Sequence, residues 1–221
     1  NNPEKTWGCI PVWGFAEVIM SNNHEIEHGE RVFGYFPPAN FLIVNPVKVS
    51  PASFSDGKEH RKDLPPVYNN YVRLNAESDY DKSMDDIRAL LFPLHITAFC
   101  LCDALEEQSY DGASQVLIVS ASSKTAIGLA QGLAETEESP KIIGITSSNN
   151  LQFVESLGCY DQVISYDDLG SINNVSTVMV DMSGNQEVLS AIQDNLKEEL
   201  IKCLTVGMTH WDKGVSVDEA L

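Results

Sequence analysis

Two regimes of hydrophobic patterning divide the chain. In the first third, apolar residues fall in short runs between turn-formers. Val12 to Met20, Arg31 to Phe36 and Phe41 to Val44 are separated by Asn22-Asn23, Gly29 and Pro37-Pro38, with Pro46 after the last, and read as strands of a small β domain. From Val49 to Asp81 the chain is rich in Pro, Asp, Asn and Tyr without a sustained period, which predicts a long irregular connection anchored by Tyr68, Tyr71 and Tyr80.

Helical spacing begins afterwards. Ser83 and Asp86 fit a capping box ahead of the apolar run Ile87 to Phe92, and Pro93 is expected to end or kink that helix. Beyond it Leu94, Ala98, Leu101 and Leu105 line one face of an amphipathic helix reaching about Glu107.

From Gln115 the pattern becomes strand, turn, helix, repeated. Strands are expected at Val116 to Val119, Lys141 to Ile145, Gln162 to Ser165, Thr177 to Val180 and Ile201 to Val206. Helices are expected at Thr125 to Ala134, Asn149 to Leu157 and Gln186 to Lys197. Short β-branched runs, mostly separated by helices, predict an α/β fold with a doubly wound parallel sheet covered on both faces. Between the third and fourth strands only Asp167 to Ser176 is available. Ten extended residues span about 33 Å, enough to run back along one strand and cross a few neighbours.

The segment Val116 to Ala134 carries the functional reading. A buried strand, a turn of small residues and a helix rich in Ala and Gly aim free backbone N–H groups and a helix dipole at an anion. Gly128 and Gly132, four apart, are expected to let the helix press on the sheet. The turn has Ser120, Ser122 and Ser123 where a G-x-G-x-x-G motif has glycines, and Lys124 adds a charge. Its two readings are a phosphate cradle at Ser122, Ser123, Lys124 and Thr125, and a purely structural turn. After the second strand come Thr146, Ser147 and Ser148, with no carboxylate to grip a ribose 2′-hydroxyl, which leans toward NADP over NAD although the arginine that usually accompanies NADP is also missing. Asp181 to Gly184 and Gly207 to Asp212 follow the fourth and fifth strands, where open α/β sheets bind ligands. The competing reading is that Asp181 caps the next helix and that His210 and Trp211 pack in a loop.

Charge narrows the classes. With 32 acidic against 14 basic residues the chain repels phosphate backbones, so nucleic-acid binding is not expected and any cofactor pocket must be locally neutral or positive. No uninterrupted apolar run approaches the roughly 18 residues of a membrane span, so no spanning segment is expected. Five scattered cysteines without a Cys-x-x-Cys pair read as reduced thiols, in the cytoplasm or another reducing soluble compartment. His24-Glu-Ile-Glu-His28 matches the H-E-x-x-H zinc expression but sits between predicted strands, with no helix to present two imidazoles together. It reads as a solvated turn, and no metal site or catalytic triad is assigned.

Several segments resemble a known superfamily. Pro11 to Val18 and Gly29 to Gly34 look like the β domain of medium-chain dehydrogenases/reductases, and His95 to Phe99 resembles their interdomain helix. Ser120 to Ala126, Phe153 to Asp161, Asp181 to Gly184 and Thr209 to Asp212 resemble more closely an uncharacterised, quinone-oxidoreductase-like branch classed as a domain of unknown function. The resemblance implies a Rossmann-type doubly wound parallel sheet preceded by a partial GroES-like β domain. Its expected divisions are 1–82 for the β domain and irregular connection, 83–110 for interdomain helices, and 111–221 for a nucleotide-binding domain incomplete at its C-terminal end. The activity it implies is zinc-independent, NAD(P)H-dependent reduction of a carbonyl, enone or quinone, with NADP as cofactor and Thr97 and His210 toward a small-molecule substrate. The alternative is a non-catalytic relative that assembles with protein subunits.

Overall fold

A computed structural model of the chain describes residues 9–207. Two compact units divide it, Asn1–Pro93 and Leu94–Leu221.

The first unit holds an antiparallel sheet of β1 (Val12–Glu17), β2 (Arg31–Phe36), β3 (Pro46–Val47), β4 (Ser53–Asp56) and β5 (Asn70–Arg73), in the order β1-β2-β5-β4-β3. Phe33, Phe54 and Tyr71 are buried in it. Two expectations change here. Phe41 to Val44 forms no strand, although Leu42 and Val44 still pack against the core. The stretch from Val49 to Asp81 contains β4 and β5, which are four residues each with at least half of them polar, too short to show alternation before they pair. Of the expected tyrosine anchors, Tyr71 is buried, Tyr80 donates to Asp85, and Tyr68, though partly exposed, packs its ring against those of Trp13 and Tyr35. His24 and His28 lie exposed in turns between β1 and β2.

Helix α1 (Asp85–Glu107) runs through Pro93, where the unit boundary falls. The helix does not end there: proline's fixed φ suits a helix, and its costs are the N–H it cannot donate and the clash of its ring with the carbonyl four residues earlier. Nor does Ser83 cap α1. Asp81 caps a preceding 3-10 turn by accepting from the Ser83 N–H at 2.8 Å. The segment Lys82–Glu107 is also long and apolar enough, by length and composition only, to cross a membrane, a test that a core helix passes as well. Charges concentrated near its ends leave an apolar stretch that Pro93 and His95 do not interrupt. Arg88 near its start is paired with Glu77. Near its end Ala98 and Leu105 are buried in the core of the second unit.

That second unit is built on a parallel sheet of β6 (Gln115–Val119), β7 (Lys141–Thr146), β8 (Gln162–Ser165), β9 (Thr177–Asp181) and β10 (Leu200–Thr205). Their order is β10-β9-β6-β7-β8. Helices α2 (Lys124–Ala134), α3 (Leu151–Ser156) and α4 (Gln186–Leu196) connect them. The strands are continuously apolar because alternate residues feed two cores. Val116 and Ile118 pack with Leu129 and Leu133 of α2, while Leu117 and Val119 pack with Leu189 and Ile192 of α4. The short connection from β8 reaches β9 as expected, through a 3-10 segment Tyr166–Ser171 and the buried Ile172. The fold is therefore α/β, with a Rossmann-type doubly wound sheet preceded by a GroES-like β domain.

The glycines of α2 act differently from expectation. A Cβ on Gly128 would lie 3.1 Å from the Ala98 Cβ, and one on Gly132 would lie 2.6 Å from the Cys102 Sγ. The absent side chains admit α1, not the sheet.

Candidate functional site

Strand order reverses at β6, which pairs with β7 on one side and β9 on the other, so the loops leaving β6 and β9 diverge at the point where open sheets of this kind bind ligands. The first loop is the Ser120 to Ser123 turn. Ser120 is buried at φ 65°, a left-handed conformation that glycine adopts freely and that costs a serine about 1 kcal/mol. The Ser123 N–H closes the turn on the Ser120 carbonyl at 2.9 Å. Ser123 then caps α2, its hydroxyl accepting from the Ala126 N–H at 3.4 Å. The turn has no glycine, yet Ser120 takes the backbone conformation that glycine favours.

The N–H groups of Lys124 and Thr125 have no partner among the described hydrogen bonds, and the exposed Lys124 ammonium enters no described ion pair. These are donors at a helix N-terminus, so the donor set fits a phosphate. Ser122 is engaged sideways, its hydroxyl accepting from Asn150 Nδ2 at 3.1 Å.

Around this turn the fold gathers groups from later loops. Tyr160 donates its hydroxyl to the Ala121 carbonyl at 2.9 Å, and burial pushes its phenol well above the usual range. Burial also raises the Tyr166 phenol, against the opposing effect of hydrogen bonding to Ser120. At the end of β7, Thr146 is buried opposite Ser165 in the strand register, and Ser147 is half-buried. Ser148 donates to the carboxylate of Asp167 and lies 2.8 Å from the Ser165 hydroxyl. The Ser165 hydroxyl in turn accepts from the Asp167 N–H at 3.2 Å.

The second loop is organised by Asp181, which is fully buried. Its Oδ1 accepts from the N–H and hydroxyl of Ser183 at 2.7 and 2.6 Å, and its Oδ2 from the Gly184 N–H at 3.0 Å. Asp181 thus shapes the loop and presents no free oxygen, while Asn185 caps α4. Both carboxylate oxygens of Asp181 are thus engaged within its own loop. Gly207 packs on that loop, where a Cβ would meet the Met182 carbonyl oxygen at 2.9 Å. Thr97 is half-buried on α1 beside Ala98. His210, with the rest of Thr209 to Asp212, lies outside the described residues.

Sequence reading missed Asn150, Tyr160, Ser165, Tyr166 and Asp167. For three of them the signal is position: Ser165 ends β8, with Tyr166 and Asp167 next, at the carboxyl edge where such sheets bind ligands, whereas Tyr160 precedes β8. A separate concavity in the first unit, lined by Glu25, Ser50, Arg73 and Asn75, offers no free cation. Arg73 there is committed to Glu30 and to the Ser50 and Glu25 carbonyls.

Comparison with solved structures agrees with this architecture. The D-arabinose dehydrogenase of Sulfolobus solfataricus superposes with a TM-score of 0.52 at 17% identity, over 88% of this chain and 63% of that one. The yhdH oxidoreductase of Salmonella enterica, solved in complex with NADP, gives 0.48 at 12%, over 91% and 56%. At such identities the likeness is one of fold alone. Protein YIM1-2 of Lachancea thermotolerans is 26% identical over 208 residues, covering 84% of this chain and 51% of that protein. The chain thus spans about half the length of the curated relative it matches. A family model described as a protein of unknown function, DUF2855, matches residues 1–220, and the chain belongs to that family.

Proposed function

We propose that the protein is a zinc-independent, nicotinamide-dependent oxidoreductase acting on a small carbonyl, enone or quinone. Its dinucleotide diphosphate is held at Ser122, Ser123, Lys124 and Thr125. The single observation that carries this reading is the left-handed Ser120 turn set before unpartnered N–H groups of α2. A strained, buried serine persists where the surrounding structure over-determines it, and a phosphate approach gives that strain a purpose. Thr146, Ser147 and Ser148 border the adenosine ribose, Gly207 lies on the β9 side, and Thr97 and His210 are assigned toward the substrate. Bound nicotinamide supplies hydride transfer, so no side-chain nucleophile is required. NADP is the cofactor the sequence favours, and NAD the alternative.

A second reading, a non-catalytic assembly module, draws on the same turn. Ser122 and Ser123 place side chains where a glycine motif leaves open space, and both hydroxyls already have partners. Titration of the protein with NADH and NADPH, followed by calorimetry, separates the two. Micromolar binding weakened several-fold by Lys124→Ala supports the oxidoreductase, and oxidation of the bound reduced cofactor by a quinone or enone completes it. No binding of either nucleotide would sink it in favour of the module.

A further inference from the structure

The structure places a carboxylate where the sequence has none: Asp167, arriving from β8, is hydrogen-bonded to Ser148 at the end of β7. From this we infer that Asp167 determines cofactor choice, selecting NAD(H) and rejecting NADP(H). The inference rests on the nicotinamide reading above and reverses the lean that the sequence suggested.

In a sheet of this kind the first residues after the second strand border the adenosine ribose 2′ position. Here those residues are Thr146 to Ser148. An acidic group near this point accepts from the 2′-hydroxyl of NAD, whereas an arginine nearby accommodates the 2′-phosphate of NADP. Asp167 is exposed, so a ribose diol can reach it by displacing or sharing the Ser148 hydroxyl. Its backbone N–H is fixed on Ser165, which holds the carboxylate at the ends of β7 and β8. A 2′-phosphate at the same place brings close to two negative charges against a carboxylate, with only neutral serines around it.

Among the described residues of the second unit, no cation lies on these loops to offset that repulsion. Residues 94–221 contain no arginine at all. Among their described lysines, Lys124 sits at the phosphate turn, and Lys141 opens β7 at the opposite end from Ser148. Lys202 is paired with Asp111, and Lys197 follows the C-terminus of α4. None of them belongs to the loops that follow β7 and β8.

The test is competitive titration of the intact protein, read as binding without turnover. NADH is expected to bind at least tenfold tighter than NADPH, and 5′-AMP to displace it while adenosine 2′,5′-bisphosphate does not. Asp167→Asn, checked for native circular dichroism, should close most of that gap by strengthening NADPH binding. The AMP comparison needs only wild-type protein, so it stands even if the variant misfolds. NADPH binding as tightly as NADH overturns the inference and leaves the oxidoreductase reading standing. A preference for NADH that Asp167→Asn leaves unchanged overturns the role of Asp167. Failure of both nucleotides to bind overturns the reading itself, and this inference with it.

Discussion

Gly132 and Cys102 approach so closely that a methyl group on the glycine would lie 2.6 Å from the cysteine sulfur. Helix propensity favours alanine over glycine by about 1 kcal/mol, but overpacking a close contact costs about 1–3 kcal/mol. Gly132→Ala is therefore expected to lower stability, and Cys102→Ala to relieve the loss. A double-mutant cycle by urea denaturation should return a coupling of about 1 kcal/mol. Additive effects would contradict the packing of α1 on α2 through these residues.

Cys102 also makes stability depend on alkaline pH. Burial pushes its thiol from 9.0 to about 11, so the folded state holds a proton that the unfolded chain releases earlier. The stability from this group is fully present below pH 9 and is lost as pH rises through about 11. Tyr160, raised by burial too, acts in the same direction at higher pH. Denaturation midpoints should fall between pH 9 and 11, less steeply in Cys102→Ala. Alkylation at about pH 8 should be slow at Cys102, because about one thiol in a thousand is then ionised. Rapid labelling of Cys102 in native protein would refute its burial.

Asp181 gives a sharper loss. Asp181→Ala strands the Ser183 and Gly184 N–H groups in a buried loop, at a cost of about 3 kcal/mol, whereas Asp181→Asn keeps one acceptor and should cost about half as much. Urea midpoints should drop in that order at constant m-value. Equal stability of Asp181→Ala and wild type would show that the carboxylate does not organise the loop.

Much of the second unit was legible because its elements are locally consistent. The strand at Gln162–Ser165 and the helix starting at Gln186 are found where the apolar pattern places them, and the other parallel strands differ by a residue at their ends. The first unit was read less well, since β4 and β5 each offer four residues with polar positions inside and gain strand character only by pairing. Pro93 misled for a related reason: its local effect is to break, and tertiary packing of both halves of α1 overrides it.

At the site, the sequence alone determined the Val116 to Ala134 strand, turn and helix, because capping, small residues and apolar runs act within a few positions of one another. Only the tertiary structure decided what surrounds the turn. Ser148 and Asp167 are nineteen residues apart and meet because β7 and β8 are parallel neighbours whose carboxyl ends share one edge. Likewise, what Gly128 and Gly132 make room for is set by helix packing, which no period in the chain records. Short-range pattern is written in backbone propensity and burial, whereas partners across strands and helices are fixed by register and topology.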